Sequence, residues 1–151
     1  RGADVEAVDL SENLINVAKE RTPVRLCPKI TYRAADMLDP NLGVFDHVVS
    51  MDCLIHYRPI DAMSALAILA ERTGWSLHFT VAPRTPALAA MHFAGKFFPQ
   101  DDRSPAIQPV SGAVLRRAKV MEPGLHAWTL SERERVSSGF YISQAMELSR
   151  R

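Results

Sequence analysis

Glycine is scarce in this chain and never clustered. Seven glycines occur in 151 residues, at Gly2, Gly43, Gly74, Gly95, Gly112, Gly124 and Gly139, so no glycine-rich loop is present that could cradle a ligand. No run approaches the ~20 apolar residues of a membrane-spanning helix, and no signal peptide opens the chain. The two cysteines, Cys27 and Cys53, lie on different predicted elements without zinc-site spacing. They are expected to be small buried or half-buried hydrophobes in a reduced, cytoplasmic protein. A formal net charge of +1 gives no field that would gather nucleic acid or an acidic surface, so partners must be argued from a site. The first residue is Arg1 and not Met, and Arg1-Gly2-Ala3-Asp4 reads as a helix end entering a strand. The expectation is a chain cut at its N-terminus.

With 47% hydrophobic and 23% charged residues, what remains is ordinary for one soluble globular domain. Val5 to Asp9 alternates and ends on an acid, predicting a strand over 5–9. Ser11 can cap a helix over 12–21, whose apolar positions are Leu14, Ile15, Val17 and Ala18. Pro23 and Pro28 mark a loop, and a strand over 30–35 leads to the acid Asp36. Pro59 and Asp61 start a helix with Met63, Leu66 and Leu69 on its apolar side, which Gly74 is expected to end. A strand from Trp75 to Ala82 is stopped by Pro83, and a helix is expected over 87–98 with Thr85 as its cap. A loop to Pro109, a helix from Val110 to Met121, an interrupted strand (Trp128 to Leu130, Arg133 to Ser138) and a strand over 140–148 complete the chain.

The most informative stretch is Phe45-Asp46-His47-Val48-Val49-Ser50-Met51-Asp52-Cys53-Leu54-Ile55-His56-Tyr57. It is β-branched in the middle and releases an acid, an imidazole and a phenol within six residues, as a buried strand ending in a polar rim would. In open α/β sheets ligands sit at such carboxyl ends. The stretch resembles the fourth strand of class I S-adenosylmethionine-dependent methyltransferases. With Phe79-Thr80-Val81-Ala82-Pro83-Arg84-Thr85-Pro86 and Ser138-Gly139-Phe140-Tyr141-Ile142-Ser143-Gln144, the chain from about Ala3 to Arg150 resembles the magnesium protoporphyrin IX O-methyltransferases of chlorophyll and bacteriochlorophyll synthesis.

That resemblance implies an α/β fold: a Rossmann-like class I methyltransferase sheet, mostly parallel with a C-terminal antiparallel pair, in the order 3-2-1-4-5-7-6. The chain would lack the first strand and the glycine-rich loop after it, so it would be the C-terminal part of a single domain over 1–151 and inactive alone. With the first strand missing, the strand ending at Asp9 and the one containing Val48 should show either an empty slot between them or a collapsed pairing with each other. The implied reaction moves a methyl group from S-adenosylmethionine to a propionate carboxylate of magnesium protoporphyrin IX. Asp9 would accept from ribose hydroxyls, with Leu10 beside it; Asp36 would accept from the adenine amine and Met37 would cover the ring; Asp52 would lie on the same cofactor side. His56 carries the catalytic role, orienting the carboxylate, holding the macrocycle or approaching its magnesium, and no protein-bound metal is implied. Tyr57 and Arg84 are candidate substrate contacts, and the apolar residues from Ala87 to Phe98 could line a tetrapyrrole pocket. A contact with a magnesium chelatase subunit, and a place peripheral to the photosynthetic membrane, are family-level implications.

Read from the residues alone, the same positions have plainer roles. Asp9 and Asp36 can be turn or capping acids, Arg84 a surface or helix-capping arginine, and Tyr57 a core residue. His47, His78 and His92 have no companion constellation and are expected to be core or surface histidines. Arg116, Arg117 and Lys119 read as a solvated helix face. A nicotinamide dehydrogenase would also use an acid like Asp9 but would not explain the 52–57 and 82–86 stretches, and a noncatalytic tetrapyrrole-binding or interaction module is the alternative from another class.

Overall fold

The structure is a computed structural model that describes residues 2–84, 107–138 and 141–150. The helix expected over 87–98 therefore lies outside the described residues. Two compact units divide at Gly43.

In the first unit, β1 (Val5–Asp9) and β2 (Ile30–Ala34) run parallel, with α1 (Glu12–Arg21) between them in sequence. Ser11 caps α1 as expected, its hydroxyl accepting from the Leu14 amide, while Glu12 in the first turn and Lys19 and Arg21 in the last complement the helix dipole. Of the four apolar positions, only Ile15 is buried; Leu14 is 55% exposed. The register pairs Asp9 with Ala34, and the Ala35 amide reaches the Asp9 carbonyl at 3.0 Å, so both strands end together.

In the second unit the strands order as β3-β4-β6-β5: β3 (Phe45–Ser50), β4 (Thr73–Val81), β6 (Tyr141–Arg150) and β5 (Trp128–Ser138). β3 and β4 are parallel, whereas β6 is antiparallel to both β4 and β5. The sheet is mixed, and β5 and β6 are the C-terminal antiparallel pair that the resemblance implied, while the parallel pairings are β1–β2 and β3–β4. Among the described strands, β1 pairs only with β2 and β3 only with β4, so each has one open edge and the collapsed pairing is not formed.

α2 (Pro59–Glu71) packs on β4 and on α3 (Gly112–Val120). Pro59 presets its first turn, and Arg58 reaches back to Asp61 at 2.6 Å, a hydrogen bond that holds the Asp61 carboxyl below the usual carboxylate range. The core gathers Met63 and Leu66 of α2, Leu77 and Phe79 of β4, Leu115 of α3, Leu125, Trp128, Met146 and Leu148. Gly74 does not end α2. The helix stops at Arg72, the Thr73 hydroxyl donates to the Leu69 carbonyl at 2.7 Å, and Gly74 lies inside β4 where the β3 register slips by one residue, with room for a side chain. The interruption expected near Arg133 is likewise a bulge between Glu132 and Arg135. Buried Gln144 fills it, accepting from Arg135 Nε at 3.0 Å and donating to the Arg133 carbonyl at 2.9 Å.

Both cysteines are exposed, contrary to expectation, because Cys27 falls in the proline-flanked loop after α1 and Cys53 in the turn after β3. His47 and His78 are not isolated: Ser76 Oγ lies 2.8 Å from His47 Nδ1 and 2.9 Å from His78 Nε2. Glu147, ion-paired with Arg133, stands 3.7 Å from His78 on the same side.

Gly124 tests the packing beneath α2. A Cβ there would lie 2.9 Å from the Cβ of buried Ala67, so Gly124→Ala should cost about 1–3 kcal/mol through forced separation. Gly74→Ala, whose nearest neighbour would be a carbonyl at 3.7 Å, should cost under about 1 kcal/mol. Urea unfolding followed by the fluorescence of buried Trp128 measures both, and equal midpoints would show that the turn at Gly124 yields freely.

Candidate active site

Each unit presents its candidate residues where its parallel strands end. In the first, Asp9 terminates β1, and its Oδ1 accepts the Ser11 amide at 2.7 Å. Asp36 follows β2 by two residues, its Oδ1 accepting the Leu38 amide at 2.8 Å. Both acids thus perform the turn roles open to them, and those turns hold the carboxylates in place. Leu10 is 77% exposed beside Asp9, and Met37 is half-buried beside Asp36. An apolar residue next to a fixed carboxylate, on two adjacent strand ends, is a combination a nucleoside can use: hydroxyl or amine donors meet the acids, and ring faces meet the apolar side chains.

In the second unit, Asp52 sits two residues past β3 at φ +56, the one non-glycine residue with positive φ among those described. Aspartate tolerates this left-handed conformation better than most side chains, at a strain of order 1–3 kcal/mol. Its amide donates to Thr80 Oγ1 at 2.8 Å, the Thr80 hydroxyl donates to Asp52 Oδ1 at 3.1 Å, and the Tyr141 hydroxyl donates to the two carboxylate oxygens at 3.2 and 3.1 Å. The reversed backbone sends the chain into a 3-10 turn, Leu54–His56. Leu54, 2% exposed, anchors that turn in the core, and the Gln108 amide donates to the Ile55 carbonyl at 2.7 Å.

His56 closes the turn with its Nδ1 buried and without a hydrogen-bond partner among the described residues. Tyr57 is 38% exposed, so its ring is only partly taken up by the protein. Arg84, just beyond β4, is exposed and held through its amide, which donates to the Val110 carbonyl at 3.0 Å. It borders a cavity of about 130 Å³ with Arg135, Glu132 and Gln144. Small-molecule sites run to roughly 300–1,000 Å³, so this cavity alone houses no tetrapyrrole. Among the described residues no cluster of three or more His, Cys, Asp or Glu could hold a metal ion.

The second unit therefore brings together Asp52, His56 and Tyr57 on one turn, with Arg84 at the end of the neighbouring strand. Sequence reasoning assigned nothing to Thr80 or Tyr141, although both lie in stretches that carry the resemblance. Alternation along β4 and β6 would have placed them on a face; only the strand register brings them to Asp52.

Comparison with known proteins narrows the chemistry. A family described as magnesium-protoporphyrin IX methyltransferase C-terminus matches residues 50–150, and a methyltransferase domain family matches residues 1–76. The magnesium-protoporphyrin O-methyltransferase of Rhodobacter capsulatus is 45% identical over 148 residues, covering 97% of this chain and 62% of that protein. A chloroplastic magnesium protoporphyrin IX methyltransferase of Arabidopsis thaliana is 29% identical, covering 97% of this chain and 46% of the other. The chain thus spans less than two thirds of the length of these relatives. A crystal structure of the Synechocystis magnesium protoporphyrin IX methyltransferase with bound SAH superposes at a TM-score of 0.79 and 24% identity, over 99% of this chain and 65% of that one, which establishes the fold. With about two thirds of its residues under the first family model, including the whole Asp52 to Tyr57 turn, Arg84 and Tyr141, the chain belongs to the magnesium-protoporphyrin IX methyltransferase C-terminus family.

Proposed function

We propose that the whole protein methylates a propionate carboxylate of magnesium protoporphyrin IX with S-adenosylmethionine as donor, giving the monomethyl ester in chlorophyll or bacteriochlorophyll synthesis. The observation that carries this reading is the match of residues 50–150 to the magnesium-protoporphyrin IX methyltransferase C-terminus family, over a segment whose turn holds Asp52 and His56. A nicotinamide dehydrogenase shares the acid at Asp9 but not this match. Because the chain spans 62% of its Rhodobacter relative, the activity is assigned to the whole protein.

The bound donor supplies an electrophilic methyl group on a sulfonium. Transfer is an in-line displacement, so the protein's work is to hold donor and acceptor collinear. For the donor, Asp9 accepts from ribose hydroxyls beside Leu10, Asp36 accepts from the adenine amine, Met37 covers the ring, and Asp52 is a further cofactor contact. The fixed carboxylates of Asp9 and Asp36 at adjacent strand ends fit that assignment. The acceptor carboxylate, with an ordinary pKa of about 4, is already ionised at neutral pH, and no general base is required. His56 accordingly acts by position, orienting the propionate or the macrocycle, and its unpartnered buried nitrogen suits a ring held by its backbone turn. Exposed Arg84 can form a bidentate pair with a propionate, and half-open Tyr57 can pack on the macrocycle. No described helix is long and apolar enough to cross a membrane. A cytoplasmic place peripheral to the photosynthetic membrane, and contact with a magnesium chelatase subunit, belong to the same proposal.

Incubation of the whole protein with S-adenosylmethionine and magnesium protoporphyrin IX should yield the monomethyl ester by chromatography. Methylation of some other small acceptor with none of the porphyrin would reject the assignment.

His56→Ala should lower kcat by roughly a hundredfold while leaving the Kd for S-adenosylmethionine nearly unchanged. Asp9→Ala should do the reverse, weakening the Kd about tenfold or more through loss of charge-assisted hydrogen bonds. Calorimetric affinities that fall equally in the two variants would abolish this division of labour.

A further inference from the structure

We infer that Tyr141 and Thr80 are positioning residues for His56, acting through Asp52. The inference rests on the reading of His56 as the residue that orients the acceptor, and it adds two side chains from strands to which no part of the reaction has been assigned.

The turn from Met51 to Tyr57 depends on one strained residue. Asp52 is left-handed at φ +56, and it is this reversal that converts the extended course of β3 into the 3-10 turn ending at His56. Thr80 on β4 grips Asp52 twice, accepting from its amide at 2.8 Å and donating to its Oδ1 at 3.1 Å. Tyr141, the first residue of β6, spans both carboxylate oxygens at 3.2 and 3.1 Å. β6 runs antiparallel to β4, so it begins at the edge where β4 ends, and a tyrosine there reaches over the end of β4 to the turn after β3.

Downstream, Leu54 is sunk in the core and Ile55 is tied to Gln108, whereas the His56 ring has no hydrogen bond among the described residues to fix Nδ1. The ring's direction is therefore inherited from the backbone, and the clamp on Asp52 is what fixes the backbone at the start of the turn. Tyr141 is 49% exposed, so its ring is not a core element, and loss of its hydroxyl removes the clamp without removing packing. A carboxylate offered two hydroxyl donors also keeps acceptor capacity, which leaves the cofactor role of Asp52 intact.

The test uses the whole protein and the variants Tyr141→Phe, Thr80→Val and Thr80→Ser. Tyr141→Phe loses the forked hydrogen bond to the carboxylate and Thr80→Val loses both of its hydrogen bonds to Asp52, so kcat should fall on the order of tenfold in the first and at least as much in the second, with the KM for S-adenosylmethionine changed by less than about twofold. Thr80→Ser keeps the hydroxyl and should restore kcat. In nuclear magnetic resonance spectra the His56 ring signals should move in Tyr141→Phe, while those of His126, which is bonded to the Val120 carbonyl at 3.0 Å, stay in place. Unchanged kcat in Tyr141→Phe, with or without a shift of the His56 signals, overturns the inference, as does a loss in Thr80→Ser equal to that in Thr80→Val. Should the whole protein methylate no tetrapyrrole while the His56 signals still follow the Tyr141 hydroxyl, the positioning stands and the proposed function fails.

Discussion

Burial of Leu77, Phe79 and Val81 along one face of β4 is the constraint on which the second unit depends. These side chains are 1%, 2% and 4% exposed, and full burial of each stabilises by about 1.5–3 kcal/mol. β4 is bonded on both edges, to β3 and β6, and α2 packs on it. Because side chains alternate along a strand, fixing these three residues also fixes Ser76, His78 and Thr80 on the opposite face. A slip of one residue would exchange the two sets, at the expense of the whole core. The placement of Thr80 near the strand end, within reach of Asp52, is thus a consequence of apolar packing on the other side of the sheet.

The polar face that results is ordered across all four strands. His47 of β3 and His78 of β4 meet at Ser76, Glu147 of β6 approaches His78, and Arg133 of β5 pairs with Glu147. Ser76 can donate to one imidazole and accept from the other, so a single hydroxyl satisfies two rings without burying a charge. The half-buried Glu147 carboxylate is the most enclosed charge of the row and is matched by a guanidinium. Arrangements of this kind fix register from the polar side just as Leu77 and Phe79 fix it from the apolar side.

How much of this could be read from the residues differs between fold and site for a physical reason. Val5 to Asp9 and the capped helix after it are local: alternation, a serine cap and helical spacing lie within a few residues of each other, and the boundaries agree with the structure. The acids at strand ends were legible for the same cause. Gly74 was not, because a glycine after a helix reads the same whether it ends the helix or lies within the next strand, and only the β3 register separates the two. The cysteines misled because residue type predicts average burial, whereas Cys27 and Cys53 sit in turns that expose them. The clamp was the least legible feature of all: Tyr141 is 89 residues from Asp52, and they meet only because Thr80 pairs with Ala145, four residues along β6 from Tyr141.

The balance at Asp52 explains why such a clamp is needed. A left-handed aspartate is strained by about 1–3 kcal/mol, and an ordinary hydrogen bond returns a net of roughly 0.5–1.5 kcal/mol. Two interactions with Thr80 and the forked one with Tyr141, of which those to the carboxylate return more, about 1.5–3 kcal/mol each, therefore offset the strain. A glycine at this position would accept the backbone angle without strain and keep its amide bond to Thr80, but it would lose the carboxylate that ties the turn to the Thr80 and Tyr141 hydroxyls. Aspartate accepts the strain and gains the tether, so the direction in which the chain leaves β3 is set by side chains from two other strands. A turn held from three strands has its direction fixed from each of them, and precision of that kind is what orienting reacting groups demands.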